Sequence, residues 1–284
     1  MKKALMFGLN YALTSCPLNG CIRDIDLTRS LLIERGFASF VVLKDDGSTI
    51  PASKQNILAA MRKFSSEAKP GDILFVCFSG HGGRCPGTFH EKDSCNECLY
   101  DHQLNEIYDD NIKEELVDPL PAGCFMYIHF DSCHSGSAAD LPFDLVILES
   151  RAVMAPPSSS FVSSKWDHYK WKEDKVASRS VSSLVSVVPE YTQPSGIKAT
   201  VLMISGCKDS QTAADDFYDV NKATRAEGAM SHAFREVLST LKTPTFYDLF
   251  RGMLIQIRKS GYDQVPQMSC STDKLDICTT KVWF

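Results

Sequence analysis

The sequence predicts an α/β fold, a mostly parallel sheet with helices on both sides. Three observations lead there. Strand-like and helix-like segments alternate along the chain, the pattern of crossover helices between parallel strands. Two runs, Asp72–Phe78 and Phe125–Phe130, are short, β-branched and aromatic-rich, bounded by Pro70-Gly71 and Pro121-Ala122-Gly123. Each leads directly into a string of small and reactive residues, Ser79-Gly80-His81-Gly82-Gly83 and Asp131-Ser132-Cys133-His134-Ser135-Gly136. Such strings belong at the carboxyl ends of strands in an open sheet, the edge where ligands bind.

The remaining elements follow in order. Asp24–Arg35 carries Ile25, Leu31 and Leu32 among charges and stops at Gly36, which reads as a helix with a glycine just past its end. Ala38–Leu43 is a strand. Ser53–Ala68 puts Ile57, Met61, Phe64 and Ala68 on one face and ends before Pro70, a helix. Ala199–Ser205 is a further strand, and Ala229–Leu241 and Thr245–Lys259 are helices. Between Glu149 and Pro194 the texture changes: Ser158-Ser159-Ser160 follows Pro156-Pro157, lysines are scattered, more serines follow from Ser178 to Ser186, and the pattern is lost, as in a long linker. Trp166 and Trp171 suggest that part of it packs. The chain has no internal repeat.

Composition narrows the function. The 284 residues, 44% hydrophobic and 23% charged, suffice for a full core. A formal charge of −5 supplies no basic field for nucleic acid. No run approaches the ~20 apolar residues of a membrane helix. The N-terminal Met1-Lys2-Lys3 and the apolar stretch after it resemble an export signal, but Asn10 and Tyr11 interrupt that stretch short of the ~7–15 residues such a core needs. The cysteines, 11 in number and scattered without a framework spacing, fit a reducing, cytoplasmic setting. Cys95-Asn96-Glu97-Cys98 is the one close pair. With Cys85, His90 and His102 nearby, a zinc site, a redox pair and plain reduced thiols all stay open.

The two loop strings carry the chemistry. A thiol with an unperturbed pKa near ~8.5 needs an imidazole to take its proton before it attacks near neutral pH, and His81 is the candidate for Cys133. Flanking glycines leave main-chain N–H groups to hold an oxyanion. Singly, a strand-end cysteine can be a small buried hydrophobe and a Gly-His-Gly segment only a turn; together, at matching strand ends, they point to a cysteine hydrolase. A cysteine phosphatase would need an arginine six residues after its nucleophile, and that position is Ala139.

At this point the chain resembles the metacaspases, members of the caspase-like clan of cysteine peptidases. Besides the two strings, the similarity rests on Gly8-Leu9-Asn10-Tyr11 and Leu18-Asn19-Gly20-Cys21-Ile22-Arg23-Asp24, on Ile204 to Asp215, and on Gly228-Ala229-Met230, so it covers nearly the whole chain. The resemblance implies a caspase-like three-layer α/β/α sandwich with Lys3–Leu9 as a central strand. It further implies a large catalytic region over residues 1–148, a linker over 149–196 with self-cleavage sites among Lys165, Lys170, Lys172, Lys175 and Arg179, and a small region over 197–284, acting as a monomer. His81 and Cys133 would be the catalytic dyad, with the N–H groups of Gly82 and Cys133 as the oxyanion hole.

By the same resemblance Asp24, Asp131, Cys21 and Ser79 line the pocket for the residue before the scissile bond. An acidic pocket selects arginine or lysine, because a buried carboxylate pair lacking a cation is costly and a guanidinium relieves it. For Asp24 the competing reading is a helix N-terminal acid favoured by the dipole. Asp209 and Asp215 stay unassigned. Asp93, Asp109, Asp110 and Asp140 match the acidic positions that bind calcium in many metacaspases, and hard oxygen ligands suit that ion. The usual Asp- and Gly-rich stretch is here Asp93 to Tyr100, with two cysteines. The alternative function is a catalytically silent scaffold of the same fold.

Overall fold

The computed structural model describes residues 1–86, 95–132, 138–147, 185–189, 196–206, 227–262 and 264–284. In chain order the elements are β1 (Lys2–Gly8), α1 (Cys21–Glu34), β2 (Ser39–Lys44), α2 (Lys54–Ser66), β3 (Ile73–Ser79), β4 (Gly82–Pro86), β5 (Cys95–Tyr100), β6 (Glu106–Tyr108), α3 (Asp109–Ile112) running on into a π-helical turn (Lys113–Val117), β7 (Phe125–Asp131), β8 (Phe143–Ile147), β9 (Val185–Pro189), β10 (Thr200–Ser205), α4 (Ala229–Thr240), α5 (Phe246–Lys259) and β11 (Gln267–Cys270).

The main sheet has the order β2-β1-β3-β7-β10-β11-β8-β9. The first five strands pair in parallel, and β11, β8 and β9 extend the sheet antiparallel. A separate antiparallel sheet, β4-β5-β6, leaves the carboxyl end of β3. The mostly parallel arrangement is as the alternation predicts.

Strand alternation sorts the core into two layers. Leu5 and Phe7 of β1, Leu74, Val76 and Phe78 of β3, and Met126, Ile128 and Phe130 of β7 pack with Ile57, Met61 and Phe64 of α2 and with Ile112 and Leu116. Their neighbours Ala4, Met6, Phe75, Cys77, Tyr127 and Ile204 pack on the other face with Ile25 and Leu32 of α1, Phe234 of α4, and Leu249 and Met253 of α5. The period of two continues to the strand ends. Ser79 is therefore in phase with Phe75 and Cys77, and Asp131 with Tyr127, so both belong to the face covered by α1 and α4. The register places Ser79 directly opposite Asp131.

The helix signals are where the pattern puts them. Ser53 caps α2 by accepting from the Asn56 N–H, Thr245 and Asp248 form a capping box on α5, and Gly36 follows α1 at φ +86°. Helix α1 starts at Cys21, three residues before the expected Asp24, without a side-chain cap on Gly20; Asp24 thus lies in its first turn. The small sheet and β8, β9 and β11 were not expected, being strands of only three to six residues. β9 lies inside the stretch read as linker, paired with β8.

Candidate active site

His81 stands just past β3, fixed on several sides by the loop that follows β1. That loop is closed by Leu18 N–H to Asn10 O at 2.7 Å and Thr14 N–H to Tyr11 O at 2.9 Å, while Asp45 accepts from the N–H groups of Asn10 and Tyr11. It presents the carbonyl of Cys16, 2.7 Å from His81 Nε2. The Tyr11 ring lies against the imidazole with centroids 4.5 Å apart. Its hydroxyl accepts from the His81 N–H at 2.9 Å and donates to Tyr100 O at 2.9 Å. Gly82 opens β4 opposite Leu99. Gly83 has no room for a side chain, since a Cβ there would meet the Tyr100 hydroxyl at 2.8 Å. Cys133 lies outside the described residues, two positions beyond the last residue of β7.

Beside His81 the structure brings two acids together. Asp24 is fully buried and Asp131 nearly so. Asp24 Oδ2 accepts from Ser79 Oγ at 3.1 Å and from the Gly228 N–H at 2.8 Å, and Asp131 Oδ2 accepts from the Ser231 N–H at 2.8 Å. The amino end of α4 thus donates to both carboxylates, an arrangement its dipole favours. A Cβ on Gly228 would stand 2.2 Å from Asp131 Oδ2 and 3.0 Å from Asp24 Oδ2, so only glycine fits between them. Cys21, also buried, sits one turn before Asp24 on α1.

The expectation that this pair lacks a cation is corrected. Arg235 of α4 donates to Asp24 Oδ1 through Nη1 at 3.3 Å and Nη2 at 3.2 Å, and to Glu227 Oε2 at 2.7 Å. Burial and the Asp131 charge still push the Asp24 carboxyl up to about 8, against the pull of Arg235 and the donors from Gly228 and Ser79. The hydrogen bond from His232, with Arg235 beyond it, holds Glu227 down at about 2. Behind Asp131, His129 is fully buried between Tyr127 Oη at 3.5 Å and Ser231 Oγ at 3.4 Å. Burial, aided by Arg235, lowers it to about 3.

Three of the four acids expected to bind a metal converge. One carboxylate oxygen each from Asp109, Asp110 and Asp140 lie within 4.8 Å of one another, and Asp140 adopts φ +45°. Asp109 also accepts from the Glu97 N–H at 2.9 Å and from the Asp110 N–H at 2.8 Å. Converging carboxylates repel unless a cation joins them, and an oxygen-only set fits a hard divalent ion. Asp93 is outside the described residues, as are Asp209, Asp215, Trp166, Trp171 and the five basic linker positions. Among the described residues this trio is the one metal-competent group, so the zinc alternative gains nothing from Cys85, Cys98 and His102. Instead Cys98 pairs with Cys85, Sγ to Sγ 3.3 Å, and the Cys85 thiol donates to Glu106 at 3.1 Å. Burial, then these hydrogen bonds, push Cys85 up to about 12.

Arg235, Glu227, Ser231 and the Cys16 carbonyl were missed in the sequence. The one signal was Gly228-Ala229-Met230, recognised as a motif without a partner.

A three-layer sandwich with a histidine and a buried pair of acids at the carboxyl edge of its parallel strands defines a caspase-like fold. Solved structures agree on the fold. A Geobacter sulfurreducens protein superposes with a TM-score of 0.63 at 22% identity, over 98% of this chain and 96% of that one. Caspase-1 of Spodoptera frugiperda gives 0.50 at 12% identity, over 99% and 88%. The family model for the metacaspase, peptidase C14 domain matches residues 2–142. Metacaspase-1 of Schizosaccharomyces pombe is 37% identical over 290 residues, 95% of this chain and 67% of that protein. Metacaspase-1 of Cryptococcus neoformans is 35% identical over 305 residues, 98% and 65%. The chain belongs to the metacaspases, and it spans about two thirds of the length of these relatives.

Proposed function

We propose that the protein is a cysteine endopeptidase that cleaves peptide bonds after arginine or lysine. The observation that carries this reading is the buried Asp24 and Asp131 pair beside a carbonyl-anchored histidine. Ser79 and Asp131 face each other in register, and His81 and Cys133 each follow two residues later, which supports a dyad across neighbouring strand ends. A basic side chain of the substrate enters the acidic recess, lined by Asp24, Asp131, Ser79 and Cys21, and the Cys133 thiolate attacks the next carbonyl carbon. The N–H groups of Gly82 and Cys133 hold the oxyanion, His81 protonates the leaving amine, and water then hydrolyses the acyl-enzyme.

Calcium is the ion we assign to the carboxylate trio, with Asp93 as a fourth ligand. Its chemistry there is neutralisation of converging negative charge. Asp109 and Asp110 begin α3, and Asp140 lies seven residues beyond Cys133, so the same residues tie the small sheet to the nucleophile's loop. Self-cleavage in the linker at Lys165, Lys170, Lys172, Lys175 or Arg179, between a large and a small region, belongs to the same reading. So do action as a monomer on protein or peptide substrates and a cytoplasmic setting. Among the described residues no helix is long and apolar enough to cross a membrane.

The test is hydrolysis of arginyl, lysyl and aspartyl peptide substrates, with calcium or a chelator, by the wild type and Cys133→Ala. Arginyl and lysyl cleavage that disappears in the variant is the expected result. Aspartyl cleavage overturns the recess assignment, and an inactive wild type favours the silent scaffold. Arginyl cleavage indifferent to chelator removes only the calcium assignment.

A further inference from the structure

The buried Asp24 and Asp131 pair carries its own cation, Arg235. Helix α1 follows the carboxyl end of β1 and runs back along the sheet, so Thr28 lies one turn deeper than Asp24. Arg235 reaches both, with Nη1 3.4 Å from Thr28 Oγ1 and 3.5 Å from the Asp24 carbonyl, besides its two contacts to Asp24 Oδ1. Its side chain is 12% exposed. Glu227 holds the guanidinium from the other side, and itself accepts from Arg23 Nε at 3.1 Å and lies 3.1 Å from His232 Nδ1. The four donors on Asp24, two from Arg235 and one each from Ser79 and the Gly228 N–H, match the roughly four lone-pair sites of a carboxylate.

We propose that Arg235 is a positioning residue for recognition of a basic substrate side chain, acting through Asp24, which it fixes at the base of the recess and biases toward the anion. The inference rests on the reading of Asp24 and Asp131 as that recess. A fully hydrogen-bonded Asp24 acts on an incoming cation through its charge, and that charge is in question because a second carboxylate stands beside it in a dry site. The groups around Asp24 are Cys21 and Arg23 from α1, Cys77 and Ser79 from β3, His129 and Asp131 from β7, Glu227 ahead of α4, and His232 and Arg235 on α4. Arg235 is the cation among them that touches Asp24 directly. An opposite charge at this range favours the ionised carboxyl by about 1–3 pH units. Burial and Asp131 already raise the Asp24 carboxyl to about 8, and without Arg235 the proton is held to still higher pH, so the anion that a basic side chain must meet becomes scarcer at neutral pH.

The experiment compares wild type, Arg235→Met, Arg235→Lys and Glu227→Gln, with kcat and KM for arginyl and lysyl peptides measured from pH 6 to 9.5 in calcium. In Arg235→Met, KM at pH 7 rises about tenfold with kcat little changed, and the pH at which KM falls moves up by about one unit or more. Arg235→Lys restores most of this. Glu227→Gln removes a repelling charge and releases Arg235 to Asp24, so it moves the same limb to lower pH; it decides the matter if Arg235→Met does not fold. Active variants whose KM profiles superimpose on the wild type overturn this inference alone, as does a loss confined to kcat and equal in Arg235→Lys. A wild type that cleaves neither substrate overturns the recess reading and this one with it.

Discussion

The imidazole of His81 is anchored through Nε2 by the carbonyl oxygen of Cys16, 2.7 Å away. A carbonyl only accepts, so Nε2 carries the hydrogen and the neutral ring keeps its lone pair on Nδ1. That tautomer makes Nδ1 the acceptor, the atom that the proposed mechanism uses as base, and it is set by a loop contact made 65 residues earlier in the chain.

Tyr11→Phe tests the frame around this imidazole. The substitution removes the acceptor for the His81 N–H and the donor to Tyr100 O while keeping the ring that packs on His81. An unsatisfied buried N–H costs about 1–3 kcal/mol, and a displaced imidazole lowers kcat/KM by about tenfold or more. Urea unfolding and steady-state kinetics measure the two, and a variant indistinguishable from wild type in both removes Tyr11 from the frame.

Two glycines separate contact from backbone strain. Gly228→Ala drives a Cβ to 2.2 Å from Asp131 Oδ2, and the carboxylate is pinned by Ser231, so about 1–3 kcal/mol is lost and KM for arginyl substrates rises. Gly36→Ala meets no atom within 4 Å but must hold φ +86°, which costs about 1 kcal/mol with KM unchanged. Thermal melts and KM for both variants check the pair; an unaltered KM in Gly228→Ala contradicts the recess geometry.

Stability depends on pH through two buried groups of opposite sign. Asp24 titrates near ~3.9 when unfolded and near about 8 when folded, so the folded state holds an extra proton between these values and loses stability as pH rises through them. His129 titrates near ~6.5 unfolded and about 3 folded, so its contribution is present above ~6.5 and lost as pH falls towards about 3. The two oppose each other between ~4 and ~6.5; above that Asp24 tilts the curve, joined in the same direction by His232, which the Glu227 hydrogen bond raises. The melting temperature of the wild type therefore falls by several degrees from pH 6.5 to 8.5, and Asp24→Asn flattens this slope. Parallel slopes in the two proteins contradict the assignment.

The carboxylate trio predicts a metal-dependent melting temperature. Calcium raises it and chelator lowers it, by an amount set by mass action. Asp110→Asn and Asp140→Asn abolish the shift. They are cleaner than a change at Asp109, whose carboxylate also accepts the Glu97 N–H. Titration calorimetry with calcium alone gives an independent check, and binding retained in both variants contradicts the site.

The sequence by itself determined the alternating core of β1, β3, β7 and β10, the amphipathic helices, and the strands that lead into the His81 and Cys133 strings, because each is written in spacings of two, three or four residues. The packing of α1 and α4 on one face decided the rest. Arg235 meets Asp24 across 211 positions, Ser231 meets Asp131 across 100, and a charged position on an amphipathic helix reads locally like any solvated one. The short strands of the small sheet likewise carry too few side chains to announce themselves, and form because β3 delivers the chain to a place where their backbones can pair. Local periodicity fixes which face a residue shows; only the closing of two faces on each other decides which buried charge finds its counter-ion.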